Sequence, residues 1–520
     1  MILDSVLKDA IAGIALKSQM TDFVRDLAPV TPVTEESVEE DPTTTPKPAP
    51  KGGPLVGPRD TISYLPHQET GVRWMLDREA VGADICRGGI LADDMGLGKT
   101  FQTIGLIKNN PLKTLILCPP ALIAGWTEEL EACGLPVVSL EEAKRRDSGS
   151  AVVVLATYNR AHLHARDYRG IFERVVLDEG HIIRNGKATK RWWSCMAIAK
   201  KAVCRWILSA TPVQNGEKDW INLCWWLHVK AKPSDIVGLA PIIMLRRTME
   251  DIRMDPVLKA SVPPEPTFIR HSLSIPEEGP SRTEYKVFRA LTDNLSTIMD
   301  SHKVSALLKL ELYMRIQQFV VHPQIYIEAM RAKFKGAYPR PDWTGTTTKF
   351  SAFTEVLSAS EEPTIVFCNF RAEMDMVRDH ALERGWKVWS IRGGMGSEAI
   401  GLAVKEAKAL QSQNDDLIKK GLKGGSAPLI IVQIVAGGAG INLQFCTRIL
   451  FLSQHWNPAV VHQACGRAVR IGQSKSVSIH FFSVDDSVSS NIDRRMLELH
   501  LGKVSVSRAI CHSFYIGSSW

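Results

Sequence analysis

The chain has 520 residues, 45% hydrophobic and 23% charged, with 63 basic against 56 acidic side chains and a formal net charge of +7. That length is too great for one ordinary domain, and the composition excludes global disorder. Ten cysteines without a C-x-x-C pair exclude a structural zinc knot or a RING-like insert, and no apolar run approaches the roughly 20 residues of a membrane-spanning helix.

In chain order, "MILDSVLKDAIAGIALKSQM" carries acids and no basic n-region, so it reads as an amphipathic segment and not as a signal peptide. Residues 1–50 hold four basic and nine acidic side chains, which leaves the remainder at +12. A body that basic favours a polyanionic partner. Residues 31–58 are rich in Pro, Thr and Glu and are expected to be a disordered linker. A helix is expected from His67 to about Glu79. Strands follow at "GGILAD", "KTLILCP", "AVVVLAT", "RVVLDEG" and "CRWILSAT", with helical patterns between them such as "KTFQTIGLIKN". Helical segments occupy much of 267–345, ending in the loop "KGAYPRPDWTGTTTK". A second alternating series follows: "PTIVFCNF", "KVWSIRG", "PLIIVQIV", "RILFLSQ" and "VSIHFFSV". Apolar strands alternating with helices specify an α/β fold with parallel sheets covered on both faces. Cys368 and Cys446 lie in apolar runs and are expected to be buried thiols.

The stretch "LADDMGLGKT" suits a loop that wraps phosphate, although Asp93 stands where G-x-x-x-x-G-K-[ST] begins with glycine. Gly96 and Gly98 permit the close backbone path, Lys99 can reach β- and γ-phosphates, and Thr100 can ligate Mg²⁺. Downstream, "VVLDEGH" delivers two carboxylates at a strand end. Asp178 is expected to serve the metal and Glu179 to act as general base toward water. Arg467 and Arg470, three apart in "HQACGRAVRIGQ", can share a helix face and contact the oxygens of a phosphoryl group in its transition state.

Taken together in order and spacing, these motifs resemble the SNF2-type members of superfamily 2, the helicase-like ATPases, from about Tyr64 to Lys503. "LPHQETGVRWM" resembles the adenine-side motif, which implies that Gln68 reads adenine. "DDMGLGKT" resembles motif I, where an acid at the first position is normal, and implies nucleotide contact by Asp94, Met95, Gly96, Leu97, Gly98, Lys99 and Thr100. "LILCPPALIAGW" and "LATYNR" resemble motifs Ia and Ib, "DEGHIIRN" motif II, and "LSATPVQN" motif III. "IIMLRRTMEDI" resembles the basic stretch after the first lobe, "YMRIQQFVVHP" the R-Q-x-x-x-HP region, "VAGGAGINLQF" motif V, and "HWNPAVVHQACGRAVRIGQ" the W-N-P segment joined to motif VI. Arg184 before Asn185 leans toward the Rad5/Rad16-like group, without its RING finger.

The resemblance implies two RecA-like lobes with parallel sheets flanked by helices and a helical insertion between them. The expected limits are an N-terminal segment and linker at 1–57, lobe 1 at 58–265, a helical bridge at 266–345, lobe 2 at 346–502 and a tail at 503–520. ATP and Mg²⁺ are the implied cofactors, with Gly440, Arg467 and Arg470 reaching the nucleotide from lobe 2. Ser209, Thr211 and Gln463 are implied to couple hydrolysis to nucleic acid. Thr157, Arg246, Arg247 and Asn457 are expected to contact its backbone, with an interlobe salt bridge as the alternative for the two arginines. The implied partner is double-stranded DNA, with nucleosomes or other DNA-bound proteins as targets. The chain is expected to work as a monomer without a membrane, in a nucleus, in cytoplasm or in a virus-associated setting.

Two departures stand out. Gly180 replaces the alanine of D-E-A-H, and residues 397–425 lack the usual arrangement. A strand-separating helicase is the first alternative, and would need a pin or a single-strand platform that the sequence does not reveal. A catalytically weak nucleic-acid-binding scaffold is the second, and the intact Lys99, Asp178, Glu179, Arg467 and Arg470 argue against it. Trp192–Trp193 and Trp225–Trp226 are expected to be packing residues rather than base-stacking platforms.

Overall fold

The computed structural model describes residues 54–484, apart from 60–61, 81–86, 215, 260–261, 300–305, 346 and 438–440. Most of the expected N-terminal segment, the C-terminal tail and Gly440 lie outside the described residues.

Ten short apolar runs of the sequence are strands, and all the strand pairings are parallel. In the first lobe these are β1 (Gly88–Leu91), β2 (Thr114–Cys118), β3 (Val153–Thr157), β4 (Arg174–Asp178) and β5 (Cys204–Leu208), joined by a two-residue strand, β6 (Met244–Leu245). Their order across the sheet is β3-β2-β4-β5-β1-β6. The second sheet contains β7 (Thr267–Leu273), β8 (Thr364–Cys368), β9 (Lys387–Ile391), β10 (Pro428–Gln433), β11 (Arg448–Phe451) and β12 (Ser478–Val484), in the order β7-β12-β11-β8-β10-β9.

Successive strand residues point to opposite faces, and both faces are covered. In lobe 1, Ile90, Leu117, Val175 and Ile207 pack with Trp192 and Trp220 on one side. Leu91, Ile116, Val176 and Leu208 pack with Ile104 and Ile107 of the helix Lys99–Asn109 on the other. Lobe 2 repeats the pattern, with Ile365, Phe367 and Ile430 on one face and Val366, Cys368 and Ile431 on the other. Cys368 and Cys446 are fully buried thiols, as their apolar surroundings imply. No helix among the described residues is long and apolar enough to cross a membrane.

Two features refine the sequence reading. The expected bridge at 266–345 holds a core of its own around Phe288, Phe319 and Tyr326, but it is joined to lobe 2. Its first residues form β7, paired with β12 from Thr267↔Ser478 to Leu273↔Val484, so they belong to the second sheet. "TFIRHSL" lacks an apolar run because it is an edge strand, with several side chains facing solvent. The helices that follow also dock on lobe 2. Val321 and Ile325 enter the core that holds Phe353, Val366 and Phe482, and Thr348 donates to Glu284 across 2.9 Å. The atypical 397–425 segment is mostly one helix, Ser397–Lys419, which buries Ala407 in the core of lobe 2.

Parallel α/β sheets present their ligand-binding loops at the carboxyl ends of the strands. Here the turn after β1, the carboxylates ending β4 and the serine following β5 meet at that edge, and lobe 2 closes over it.

Candidate nucleotide site between the lobes

The loop after β1 adopts the form its glycines allow. Gly96 and Gly98 have φ of 84° and 85°, a region where a side chain is strained. A Cβ on Gly98 would lie 2.3 Å from Gln68 Nε2, and one on Gly96 would lie 2.8 Å from Arg470 Cβ. The loop is therefore clasped by Gln68 on one side and by lobe 2 on the other. Gln68 Nε2 donates to the Leu97 carbonyl at 3.4 Å, with His67 Nε2 3.0 Å from the same oxygen. Met95 reaches across to Gly466, where a Cβ would stand 3.0 Å from its own Cβ.

Lys99 begins the helix Lys99–Asn109, and its ammonium donates to the carbonyls of Asp93 and Asp94 at 2.7 and 3.2 Å. Burial pulls its pKa below the usual lysine value against the opposing pull of Glu179, Asp93, Asp178 and Asp94. Thr100 stands beside it, half-buried.

Asp178 ends β4, and its carboxylate accepts from Trp126 Nε1 at 2.8 Å and from the Glu179 amide at 2.9 Å. The Tyr158 hydroxyl donates to the Asp178 carbonyl at 2.8 Å. Burial, and then the negative charge of Glu179, raise the Asp178 pKa to about 6. Glu179 holds a left-handed backbone, φ 51° and ψ 43°, an uncommon state for a residue with a side chain and one that clusters at functional sites. Burial works against its charge, but the hydrogen bond and charge of His181, together with Lys99 and Arg467, keep its pKa below the ordinary glutamate value. The two neighbouring acids are thus pushed apart, with Glu179 the one held ionised. Gly180 is required by space: a Cβ there would meet Ile207 Cγ2 at 2.6 Å.

A ring of contacts joins this carboxylate to lobe 2 and returns. His181 Nδ1 lies 3.3 Å from Glu179 Oε2 and 3.2 Å from Ser209 Oγ. Ser209 Oγ accepts from the Thr211 amide at 3.3 Å, and Thr211 Oγ1 accepts from Gln214 Nε2 at 3.2 Å. Gln214 Oε1 accepts from Asn457 Nδ2 at 3.1 Å, across the lobes. Asn457 caps the helix Pro458–Cys465 by accepting from the Ala459 amide at 3.1 Å. That helix carries Gln463, whose Nε2 is 3.5 Å from Glu179 Oε2. Arg467 follows it, buried and with its pKa lowered to about 10 by burial against the pull of Glu179. Burial likewise lowers Arg470.

Lys99, Asp178, Glu179, Gln463 and Arg467 are thus brought together, while Arg470 backs the loop at Gly96 and Thr100 stands beside Lys99. The four expected nucleic-acid contacts fare differently. Arg247 is bound inside lobe 1: its Nε donates to Asp93 Oδ1 at 2.9 Å, its Nη2 lies 2.5 Å from Asp93 Oδ2, and Nη1 donates to the His67 carbonyl. Arg246 donates to the Ala92 and Ala210 carbonyls at 3.2 and 2.8 Å and lies 3.5 Å from Asp94 Oδ1. These partners all belong to lobe 1, so the described ion pairs of the two arginines are not an interlobe salt bridge. The cause is β6, which pairs with β1 and lays the arginines against the phosphate loop. Asn457 is buried at the lobe junction, and Thr157 caps the helix Tyr158–Leu163 by accepting from the Arg160 amide at 3.1 Å.

Sequence reading missed Trp126, Tyr158, His181 and Gln214. Trp126 ends the stretch that resembles motif Ia, and it is buried against Asp178. His181 and Gln214 lie inside recognised motifs, but only the fold gives them their partners.

The donors fit Mg²⁺ chemically. Thr100 and Asp178 offer hard oxygens, the kind of ligand that holds Mg²⁺ alongside water and substrate phosphates.

Comparison with known proteins finds an SNF2-related domain over residues 67–233 and a helicase conserved C-terminal domain over 348–472. Among similar proteins, the "Probable global transactivator" of Orgyia pseudotsugata multicapsid polyhedrosis virus is 27% identical over 84% of this chain and 89% of its own length. The "SWI/SNF-related matrix-associated actin-dependent regulator of chromatin subfamily A member 1" of Mus musculus is 25% identical over 88% of this chain and 44% of its own. The "DNA repair protein RAD5B" of Arabidopsis thaliana is 23% identical, over 79% and 44%. The chain thus matches most of the viral relative and under half the length of the other two. The solved "Sulfolobus solfataricus SWI2/SNF2 ATPase core in complex with dsDNA" aligns at 21% identity and a TM-score of 0.37, over 88% of this chain and 97% of that one. At that score the lobes are established by the chain's own two sheets.

Proposed function

This chain belongs to the SNF2 family of helicase-like, DNA-dependent ATPases, and we propose that it couples ATP hydrolysis to translocation on double-stranded DNA, displacing or remodelling proteins bound there. The observation that carries this reading is the approach of Gln463 to Glu179, 3.5 Å across the lobes, with Arg467 beside it. A carboxylate whose surroundings are completed by the opposite lobe makes hydrolysis conditional on closure, which a stepping motor requires.

In this mechanism Gln68 holds the base side of the nucleotide, and the amides of the loop Asp94–Gly98 cradle its phosphates. Lys99 turns from the loop carbonyls to the β/γ-phosphates. Thr100 and Asp178 would hold Mg²⁺, which would supply neutralisation of phosphate charge there. Glu179, kept ionised by His181 and Lys99, accepts the proton of the attacking water. Arg467 and Arg470 meet the charge that builds on the equatorial oxygens. The polar ring through Ser209, Thr211, Gln214 and Asn457 reports the state of Glu179 to lobe 2.

The proposed partner is duplex DNA, gripped chiefly through its backbone. The proposed targets are nucleosomes or other DNA-bound proteins, in chromatin remodelling or repair. We place the protein where DNA is handled, in a nucleus or a virus-infected cell. The test is the ATPase rate measured in parallel with no nucleic acid, duplex DNA, single-stranded DNA and RNA, over a salt series. Duplex DNA should stimulate turnover most, with stimulation falling as salt rises. Turnover indifferent to duplex DNA at every salt concentration defeats the proposal.

A further inference from the structure

The paired tryptophans of lobe 1 do not share one fate. Trp192 and Trp226 are buried at 2% and 0%, whereas Trp193 and Trp225 are 54% and 37% exposed. Both exposed rings lie beside Lys187, on opposite ends of that residue. Trp193 Nε1 donates to the Lys187 carbonyl at 3.0 Å, and the Lys187 ammonium sits 4.7 Å over the Trp225 ring. Trp193 is also braced edge-on against Trp192, with centroids 5.1 Å apart. These are held rings at the surface, which core packing alone does not explain.

Their surroundings are cationic. Across Tyr158–Ala199 and the helix Glu217–Trp226 that carry the two rings, the exposed charged residues are Arg160, Arg166, Arg169, Lys187, Lys190, Arg191 and Lys218, against two exposed acids, Asp167 and Glu217. The helices that carry them form one face: Arg191 Nη2 donates to Asn159 Oδ1 at 3.1 Å, and His162 Nδ1 lies 2.7 Å from Ser194 Oγ. The face begins at Thr157, where the sequence places motif Ib.

We propose that Trp193 and Trp225 form a stacking platform for unpaired bases of single-stranded DNA, with the surrounding lysines and arginines holding its phosphates. This extends the motor reading by giving lobe 1 a site for an exposed strand at a fork or gap. Aromatic faces stack on any base and cations follow the backbone, so the contact is independent of sequence. The charge excess favours a polyanion over a protein partner. The rings favour open bases over a closed duplex, whose bases are already stacked.

The test is titration of the full chain against a fluorescein-labelled single strand and a blunt duplex at one fixed salt concentration, read by anisotropy. Trp193→Ala and Trp225→Ala should each weaken single-strand binding about tenfold, with a much smaller change on the duplex, whereas Trp193→Phe and Trp225→Phe should keep most of the affinity. Thermal melting checks that each variant is folded. Unchanged single-strand affinity in both alanine variants overturns the platform and leaves the face to a protein partner. An equal loss on both substrates also overturns it, because the face then senses phosphate and not bases. Duplex stimulation of ATP turnover by the unsubstituted chain is measured beside these titrations. Its failure defeats the motor reading while the tryptophan dependence remains an independent result.

Discussion

Asp93 and Arg247 form a two-pronged ion pair, Nε to Oδ1 at 2.9 Å and Nη2 to Oδ2 at 2.5 Å, that ties the entrance of the phosphate loop to the strand edge ending lobe 1. Gln102 closes the arrangement, donating to Asp93 at 3.0 Å and accepting from Arg247 at 2.9 Å. Burial opposes charge on Asp93, but Arg247 and Gln102 keep its pKa below the ordinary range. The acid in place of the first glycine is therefore the anchor of the loop. Removing one partner leaves a buried charge uncompensated, a loss of about 3–5 kcal/mol. Asp93→Asn and Arg247→Ala should each lower the melting temperature by several degrees. The double variant should lose much less than the sum, as a double-mutant cycle by denaturant unfolding will show. Arg247→Ala should also leave the salt slope of DNA binding unchanged, because the residue neutralises no phosphate.

Glu179→Gln should retain ATP binding and lose turnover by about 100-fold or more, the usual contribution of a positioned base. Nucleotide titration and single-turnover hydrolysis separate the two effects. Hydrolysis at the unsubstituted rate would remove Glu179 from the role of base.

Gln214→Ala deletes the bond to Asn457 and spares the helix cap. DNA-stimulated turnover should fall several-fold with the melting temperature nearly unchanged. Asn457→Ala removes the bond and the cap together, so it should add a stability loss of about 1 kcal/mol. Turnover and melting curves of both variants check the pair.

Gly180→Ala forces a methyl to within 2.6 Å of Ile207 Cγ2. Overpacking of this kind costs about 1–3 kcal/mol. Restoring the common alanine should therefore lower stability in this chain, as measured by thermal melting.

Glu373 carries the pH prediction. It is fully buried in lobe 2 and accepts from the Asn369 amide at 2.8 Å, the Phe370 amide at 3.1 Å and Ser453 Oγ at 2.9 Å. Burial raises its pKa to about 7 against those donors and Lys349. Between its unfolded value and about 7 the folded state holds a proton that the unfolded state releases, so its contribution to stability falls as pH rises through that window. His322 and His480, lowered by burial to about 4, act in the opposite sense between about 4 and 6.5. The difference between the unsubstituted chain and Glu373→Gln isolates the carboxyl. Stability of the unsubstituted chain relative to that variant should decline by up to about 3 kcal/mol from pH 4.5 to 7, measured by urea unfolding across the range.

The sequence by itself determined the alternation of strands and helices and the glycine-bearing turn after β1. It could do so because apolar periodicity and loop chemistry are local: "KTFQTIGLIKN" is the helix Lys99–Asn109 to the residue, and "RVVLD" is β4. What only the tertiary structure decided depends on partners far along the chain. Arg246 and Arg247 look like surface cations until β6 lays them against Asp93 and Asp94, about 150 residues upstream. β7 looks like linker because an edge strand needs no apolar run, and only its pairing with β12 assigns it to lobe 2. The tryptophan doublets read alike in sequence, yet adjacent residues on a helix point in different directions. One ring of each pair entered the core and the other stayed at the surface, beside Lys187.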